Sequence, residues 1–95
     1  ALDRSESRLA RLRANFARTG LKARIVVEDV LAYAPEEPFD AVLLDAPCSA
    51  TGTFRRHPEV LLRASERIIR ESAELQGRLL TAAASWLRPG GTLVY

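Results

Sequence analysis

Phe39-Asp-Ala-Val-Leu-Leu-Asp-Ala-Pro-Cys-Ser-Ala-Thr-Gly52 carries the only cysteine in a chain of 95 residues. Ala41 to Leu44 is a continuous apolar run, the pattern of a strand buried on both faces, as in a parallel sheet covered by helices. The run ends at Asp45. Pro47 and Cys48 follow, and small residues continue the loop. A carboxylate placed after Val-Leu-Leu and before Pro47 is expected to sit partly desolvated, a setting in which carboxyl groups do acid–base or positioning work.

The flanking sequence repeats this grammar. Ala1-Leu2-Asp3 reads as the tail of a strand. Ser5 is a helix N-cap with Glu6 in the first turn. Leu9, Leu12 and Phe16 then recur at helical spacing, and Thr19-Gly20 ends the helix. Ala23 to Glu28 contains the β-branched run Ile-Val-Val, a strand that ends at Asp29. Tyr33 to Pro38 is loop. Pro47 to Pro58 is irregular. Ile68, Ile69, Leu75, Leu79, Leu80, Ala83, Trp86 and Leu87 mark a long helix, with Arg88 suited to its negative end and Pro89-Gly90-Gly91 as its stop. Thr92 to Tyr95 begins another strand. The order strand, helix, strand, strand, helix, strand predicts an α/β fold with a mostly parallel sheet. Ligands of such sheets bind beyond the carboxyl ends of the strands. Asp3, Asp29 and Asp45 all fall there, so three carboxylates are expected to converge on one rim.

Composition narrows the function classes. Hydrophobic residues make up 47% and charged residues 27%, which suits one small folded domain rather than a disordered segment. Net charge is +2 and the pI about 9.2, which permits a nucleic-acid partner without demanding one. A single cysteine excludes an internal disulfide framework and a cysteine-based zinc site, and fits a reducing, cytoplasmic setting. No run is apolar enough to span a membrane. The chain has no methionine and stops within a predicted strand, so it is expected to be an internal excerpt, residues 1–95, of one catalytic domain.

Each candidate residue has two readings. Asp3 either holds the two hydroxyls of a ribose or opens a helix. Asp29 either accepts from an amine or is a loop residue. Asp45 either positions a reacting group or forms a strand-end turn. Cys48 is either a small packing residue or a thiol on an active-site loop, with Arg55, Arg56 and His57 supplying the positive setting a reactive thiol needs. Arg55 and Arg56 are either a solvated pair or a phosphate grip, and His57 either joins them or forms a turn before Pro58. No metal-ligand cluster and no phosphate-cradling glycine loop is present. The residues alone define an α/β nucleotide-handling fold with a thiol on its rim.

Asp45-Ala-Pro-Cys-Ser-Ala-Thr-Gly52 followed by Arg55-Arg56-His57-Pro58 resembles the Sun/Fmu (Nop-type) family of ribosomal-RNA cytosine-5 methyltransferases. Leu75-Gln76, Leu79-Leu80 and Pro89-Gly-Gly-Thr-Leu-Val-Tyr95 continue the same pattern, so the resemblance spans the chain. It implies a Rossmann-like class I methyltransferase fold, S-adenosylmethionine as methyl donor, and ribosomal RNA, of the small subunit, as substrate, with neither metal nor membrane. Asp3 takes the role of the ribose-holding acid, Asp29 lies near the adenine, and Asp45 stands beside cofactor and target base. Arg55, Arg56 and His57 are placed for RNA.

Cytosine chemistry asks for a thiolate that adds at carbon 6, turning carbon 5 into a nucleophile. Cys48, as the only thiol, is the natural choice from this chain alone. The RNA family instead uses a second cysteine, in a Thr-Cys-Ser motif after the Leu-Val-Tyr strand, which places the nucleophile beyond Tyr95 and gives Cys48 a role in product release. The family's first, glycine-loop strand is likewise expected before residue 1, between the strands ending at Asp3 and Asp45. The alternatives are a catalytically inactive RNA-binding relative and an enzyme acting on transfer RNA or large-subunit RNA. Glu59-Val60-Leu61-Leu62 lacks the tryptophan often found after the His-Pro step, which removes one base-stacking platform.

Overall fold

The computed structural model describes residues 1–63 and 65–95, with the backbone alone at Thr51, Leu61 and Arg63. The chain divides into two compact units, Ala1–Glu36 and Glu37–Tyr95.

The first unit holds strand β1 (Leu2–Asp3), helix α1 (Glu6–Thr19) and strand β2 (Val26–Val27). β1 and β2 pair in parallel, Leu2 opposite Val26 and Asp3 opposite Val27. Both ends of α1 are fixed by local chemistry. Ser5 sits in extended geometry, and its side chain accepts from the Arg8 N–H at 3.4 Å. Gly20 adopts φ 71°, the left-handed conformation that only glycine enters at little cost. Leu9 is buried, and Leu12 and Phe16 on the same face are half-buried. β2 is shorter than the expected strand from Ala23 to Glu28, because β1 offers it only two residues to pair with.

The second unit holds β3 (Phe39–Leu43), a 3₁₀ turn at Thr51–Thr53, α2 (Glu59–Arg63), α3 (Glu66–Ser85) and β4 (Leu87–Val94). β3 and β4 pair in parallel. α3 is capped by Ser65, whose side chain accepts from the Ile68 N–H at 3.3 Å. Its inner stripe runs through Ile68, Leu75, Leu79, Leu80 and Ala83, of which Leu79 and Ala83 are buried. Phe39 meets Trp86 edge to face, ring centroids 6.5 Å apart. The fold is therefore a partial Rossmann-like α/β arrangement of parallel strands and helices, carried by two separate two-stranded sheets.

Three expectations are corrected here. β4 starts at Leu87, not Thr92. The chain stays on the ladder through Pro89-Gly90-Gly91 by a bulge: Phe39 faces Leu87, yet Ala41 already faces Thr92. Gly90 takes φ 80° to make this excursion. Arg88 does not serve the end of α3. Its Nε lies 2.9 Å from Asp40 Oδ1, across the bulge. Finally, β3 is not buried on both faces. Val42 and Leu44 are half-buried, whereas Ala41 and Leu43 face solvent, Leu43 at 78% exposure. A single helix layer, α3, packs in this unit among the described residues, so one face of the strand is left uncovered.

The bulge is tight enough to predict a mutation. A Cβ built on Gly91 lies 3.0 Å from the Arg88 carbonyl oxygen, 3.1 Å from that of Asp40 and 3.1 Å from Leu87 Cδ2. Two of these neighbours are backbone and cannot step aside cheaply. Gly91→Ala is expected to lower stability by about 1–3 kcal/mol, as overpacking does. Urea unfolding of the full-length protein checks this, and an unchanged midpoint would show that the ladder relaxes freely.

Candidate methyltransferase site

Asp3 is the last residue of β1 and Asp29 lies two residues past β2, its parallel neighbour, so both stand at the carboxyl end of the first sheet. Asp3 is half-buried and fully engaged in local contacts. Its Oδ1 accepts from the Ser5 N–H at 2.8 Å and from Arg8 Nη2 at 2.6 Å, and its Oδ2 accepts from Arg8 Nε at 2.7 Å. This two-pronged guanidinium contact, with the Ser5 N–H beside it, lowers the Asp3 carboxyl from 3.8 to about 2. A carboxylate has about four lone-pair sites. Three are taken, and a ribose diol needs two. Asp3 therefore fits a ribose once Arg8 turns aside, which its exposed side chain is free to do.

The depressed value sets a pH window. A carboxyl that ionises more readily in the folded state contributes stability that is in place above its unfolded value and lost as pH falls through the folded one. For Asp3 that loss runs from 3.8 down to about 2. Arg8→Met is expected to move the Asp3 midpoint up toward the unfolded value. The aspartate carboxyl ¹³C shift, followed through an acid titration, reads it directly. A midpoint that stays low would mean that Ser5 alone holds the charge.

Asp29 forms an Asx turn. Its Oδ1 accepts from the Leu31 N–H at 2.8 Å, and its carbonyl accepts from the N–H groups of Ala32 and Tyr33, each at 3.0 Å. Its side chain is exposed. The turn accounts for an aspartate here without a ligand, and its second oxygen is left to accept from an amine.

In the second unit, β3 and β4 run parallel, and the Leu44 N–H donates to the Val94 carbonyl at 2.9 Å just past the end of β3. Asp45 and Cys48 follow at once, so both belong to the carboxyl end of this sheet. Asp45 is exposed, against the expected partial desolvation. The reason is the one that uncovers Leu43: among the described residues nothing packs over that side of the strand end. Cys48 is a free, exposed thiol, which sets aside its reading as a buried packing residue. Ala50 takes φ 57°, a left-handed conformation that strains a residue with a Cβ. Its carbonyl accepts from the Thr53 N–H at 2.9 Å and the Thr53 hydroxyl at 2.7 Å, which holds it there.

Arg55, Arg56 and His57 lie on the exposed turn that follows. Backbone bonds from Arg56 and His57 to the Thr53 carbonyl, at 2.9 and 3.0 Å, shape it. Neither arginine enters an ion pair among the described residues. His57 Nδ1 lies 3.1 Å from Glu59 Oε1. Among the described residues no group of three His, Cys, Asp or Glu side chains gathers as a metal site, and no helix is long and apolar enough to cross a membrane.

Two residues have structural roles that the reading of the sequence did not assign. Asp40 carries the pair with Arg88. Gln76 donates from Nε2 to the Pro47 carbonyl at 2.8 Å, tying α3 to the loop that bears Cys48. Their partners lie far away in the chain, and no local pattern announces them.

Parallel strands ending in carboxylates, with a strained thiol loop behind one of them, define a partial Rossmann-like α/β protein. Comparison with known proteins makes that class specific. Residues 1–95 match the model of the 16S rRNA methyltransferase RsmB/F family, and the chain belongs to that family. It is 46% identical over 98 aligned positions to ribosomal RNA small subunit methyltransferase B of Salmonella typhi, and 45% identical to the protein of the same name from Enterobacter sp. (strain 638). All of this chain is aligned in each, but it spans only 23% of their length. The crystal structure of PH0851 matches 98% of the chain at 41% identity with a TM-score of 0.88, the match covering 22% of that protein.

Proposed function

We propose that this chain is an internal part of the catalytic domain of a cytoplasmic methyltransferase that transfers a methyl group from S-adenosylmethionine to carbon 5 of a cytosine in small-subunit ribosomal RNA. The observation that carries the proposal is the Asp45-Ala-Pro-Cys48 loop at the carboxyl end of a parallel sheet, in a chain of the RsmB/F family. In this reading Asp3 holds the ribose of the methyl donor and Asp29 lies near its adenine. Asp45 stands beside donor and base and steadies the cytosine ring through its ring nitrogen, accepting from it once that nitrogen has gained a proton in the carbon-6 adduct. Arg55, Arg56 and His57 contact the RNA, the arginines as planar forks on phosphate. The target base must be unstacked or looped out to reach the thiol.

S-adenosylmethionine, when bound, would supply an electrophilic methyl group, the electron pair of the broken sulfur–carbon bond staying on sulfur as S-adenosylhomocysteine leaves. The attacking thiolate belongs to the second cysteine, placed by family resemblance after Tyr95, and it adds at carbon 6. After carbon 5 has taken the methyl group it must lose its proton. The electron pair of that carbon–hydrogen bond forms the carbon 5–carbon 6 double bond, while the carbon 6–sulfur bond breaks and the sulfur leaves as thiolate. Cys48, as thiolate, accepts the proton, so its role is release of the product.

Tritium release from RNA labelled at carbon 5 of cytosine tests the proposal in the full-length protein. Release from small-subunit RNA is expected. Release from transfer RNA or large-subunit RNA instead would correct the substrate, and binding without release would mark an inactive RNA-binding relative.

A further inference from the structure

α3 presents an apolar stripe to its own unit, and Gln76 interrupts it. The residue is half-buried beside Leu75, Leu79 and Leu80. Holding a glutamine in one geometry at such a place costs side-chain freedom. What it gains is one long-range bond, Nε2 to the Pro47 carbonyl at 2.8 Å, across 29 residues of sequence. That carbonyl belongs to the peptide plane joining Pro47 to Cys48. Proline fixes φ on the near side of the plane. With the carbonyl held, the plane can no longer rotate, and the Cα of Cys48 has a set position.

The far side of the loop is held independently. Ala50 is kept in its left-handed conformation by two bonds from Thr53 to its carbonyl. Cys48 thus sits on a backbone restrained two residues after it and one residue before it, with its thiol exposed. Strain stored next to an exposed thiol is expected where the position of that thiol matters.

We infer that Gln76 is a positioning residue for Cys48: its amide orients the Pro47–Cys48 peptide so that the thiol meets the carbon-5 proton of the adduct. The inference rests on the product-release role proposed for Cys48. It predicts an effect on adduct breakdown alone, leaving binding of the methyl donor and attack on the base in place.

Three variants of the full-length protein test it. Gln76→Met removes the donor and suits the apolar stripe. Gln76→Glu keeps the shape but, when ionised, cannot donate. Gln76→Lys keeps a donor. For the first two, the covalent protein–RNA adduct is expected to persist about tenfold longer, with turnover down by the same factor, the scale set by one lost bond and a misplaced group. Adduct formation in a single turnover and S-adenosylmethionine affinity, read by calorimetry, should stay as in the wild type. Gln76→Lys should recover most of the turnover. Gln76→Met with wild-type adduct lifetime overturns the inference, as does lost turnover without adduct. Cys48→Ser is run in parallel. If it accumulates adduct and the Gln76 variants do not, only the positioning role fails. If it accumulates none, the reading of Cys48 fails and the inference falls with it.

Discussion

Replacing Cys48 with serine in the full-length protein is expected to trap the enzyme on its RNA. Adduct breakdown needs a group that accepts the carbon-5 proton, and a hydroxyl ionises far less readily than a thiol. Loss of a proton-accepting group costs turnover about 10²-fold or more. Attack by the second cysteine does not need Cys48, so the adduct still forms and then accumulates as a band that survives a denaturing gel. A loss of folding is not expected to confuse the result. Cys48 is exposed, and exposed substitutions of similar size change stability by about 0.5 kcal/mol or less. The outcomes separate three roles. Adduct that accumulates supports product release. No adduct and no methylation would make Cys48 the attacking nucleophile, the choice suggested by its being the only thiol in the chain. Wild-type turnover would make it a bystander.

The features that could be read in advance are those written in local chemistry. Ser5 and Gly20 end α1 as their side chains dictate, and Leu9, Leu12 and Phe16 face inward at helical spacing. The element order and the parallel sense of pairing follow from apolar strands alternating with helices. The site is legible where chain proximity decides: Asp45 and Cys48 are three residues apart and follow the same strand. What was not legible depends on partners remote in sequence. β4 begins five residues early because Gly90 and Gly91 allow a bulge against Asp40, and only the strand pairing reveals that register. α2, over Glu59–Arg63, is a helix that the apolar spacing from Ile68 onward does not announce. Gln76 looks like one more polar residue on a helix until Pro47 is placed beside it. Arg8 has the spacing of an ordinary helix residue, yet it decides how open Asp3 is to a ligand. Asp45 and Leu43 were expected to be covered because an apolar strand implies two covering layers, and only one is present among the described residues.

The same uncovered strand leads to the second large effect: the 95-residue chain on its own is expected to self-associate rather than fold as a cooperative monomer. A pair of strands is marginal in water, and three or more with a covered face are needed for independent stability. Here there are two such pairs and no ladder joining them among the described residues. Among the described residues the buried hydrophobic ones are Leu9, Leu79 and Ala83, while Leu21, Leu43, Leu62 and Tyr95 are all more than 60% exposed. Each exposed large apolar side chain forgoes about 1.5–3 kcal/mol that burial would provide, and the unpaired strand edges are templates for another chain. Sedimentation of the isolated chain should therefore show species larger than one copy, and circular dichroism on heating should show a shallow, concentration-dependent change. A sharp unfolding transition from a monomer would overturn this expectation, because it would mean that Leu43 and Leu62 find cover within a single copy of the chain.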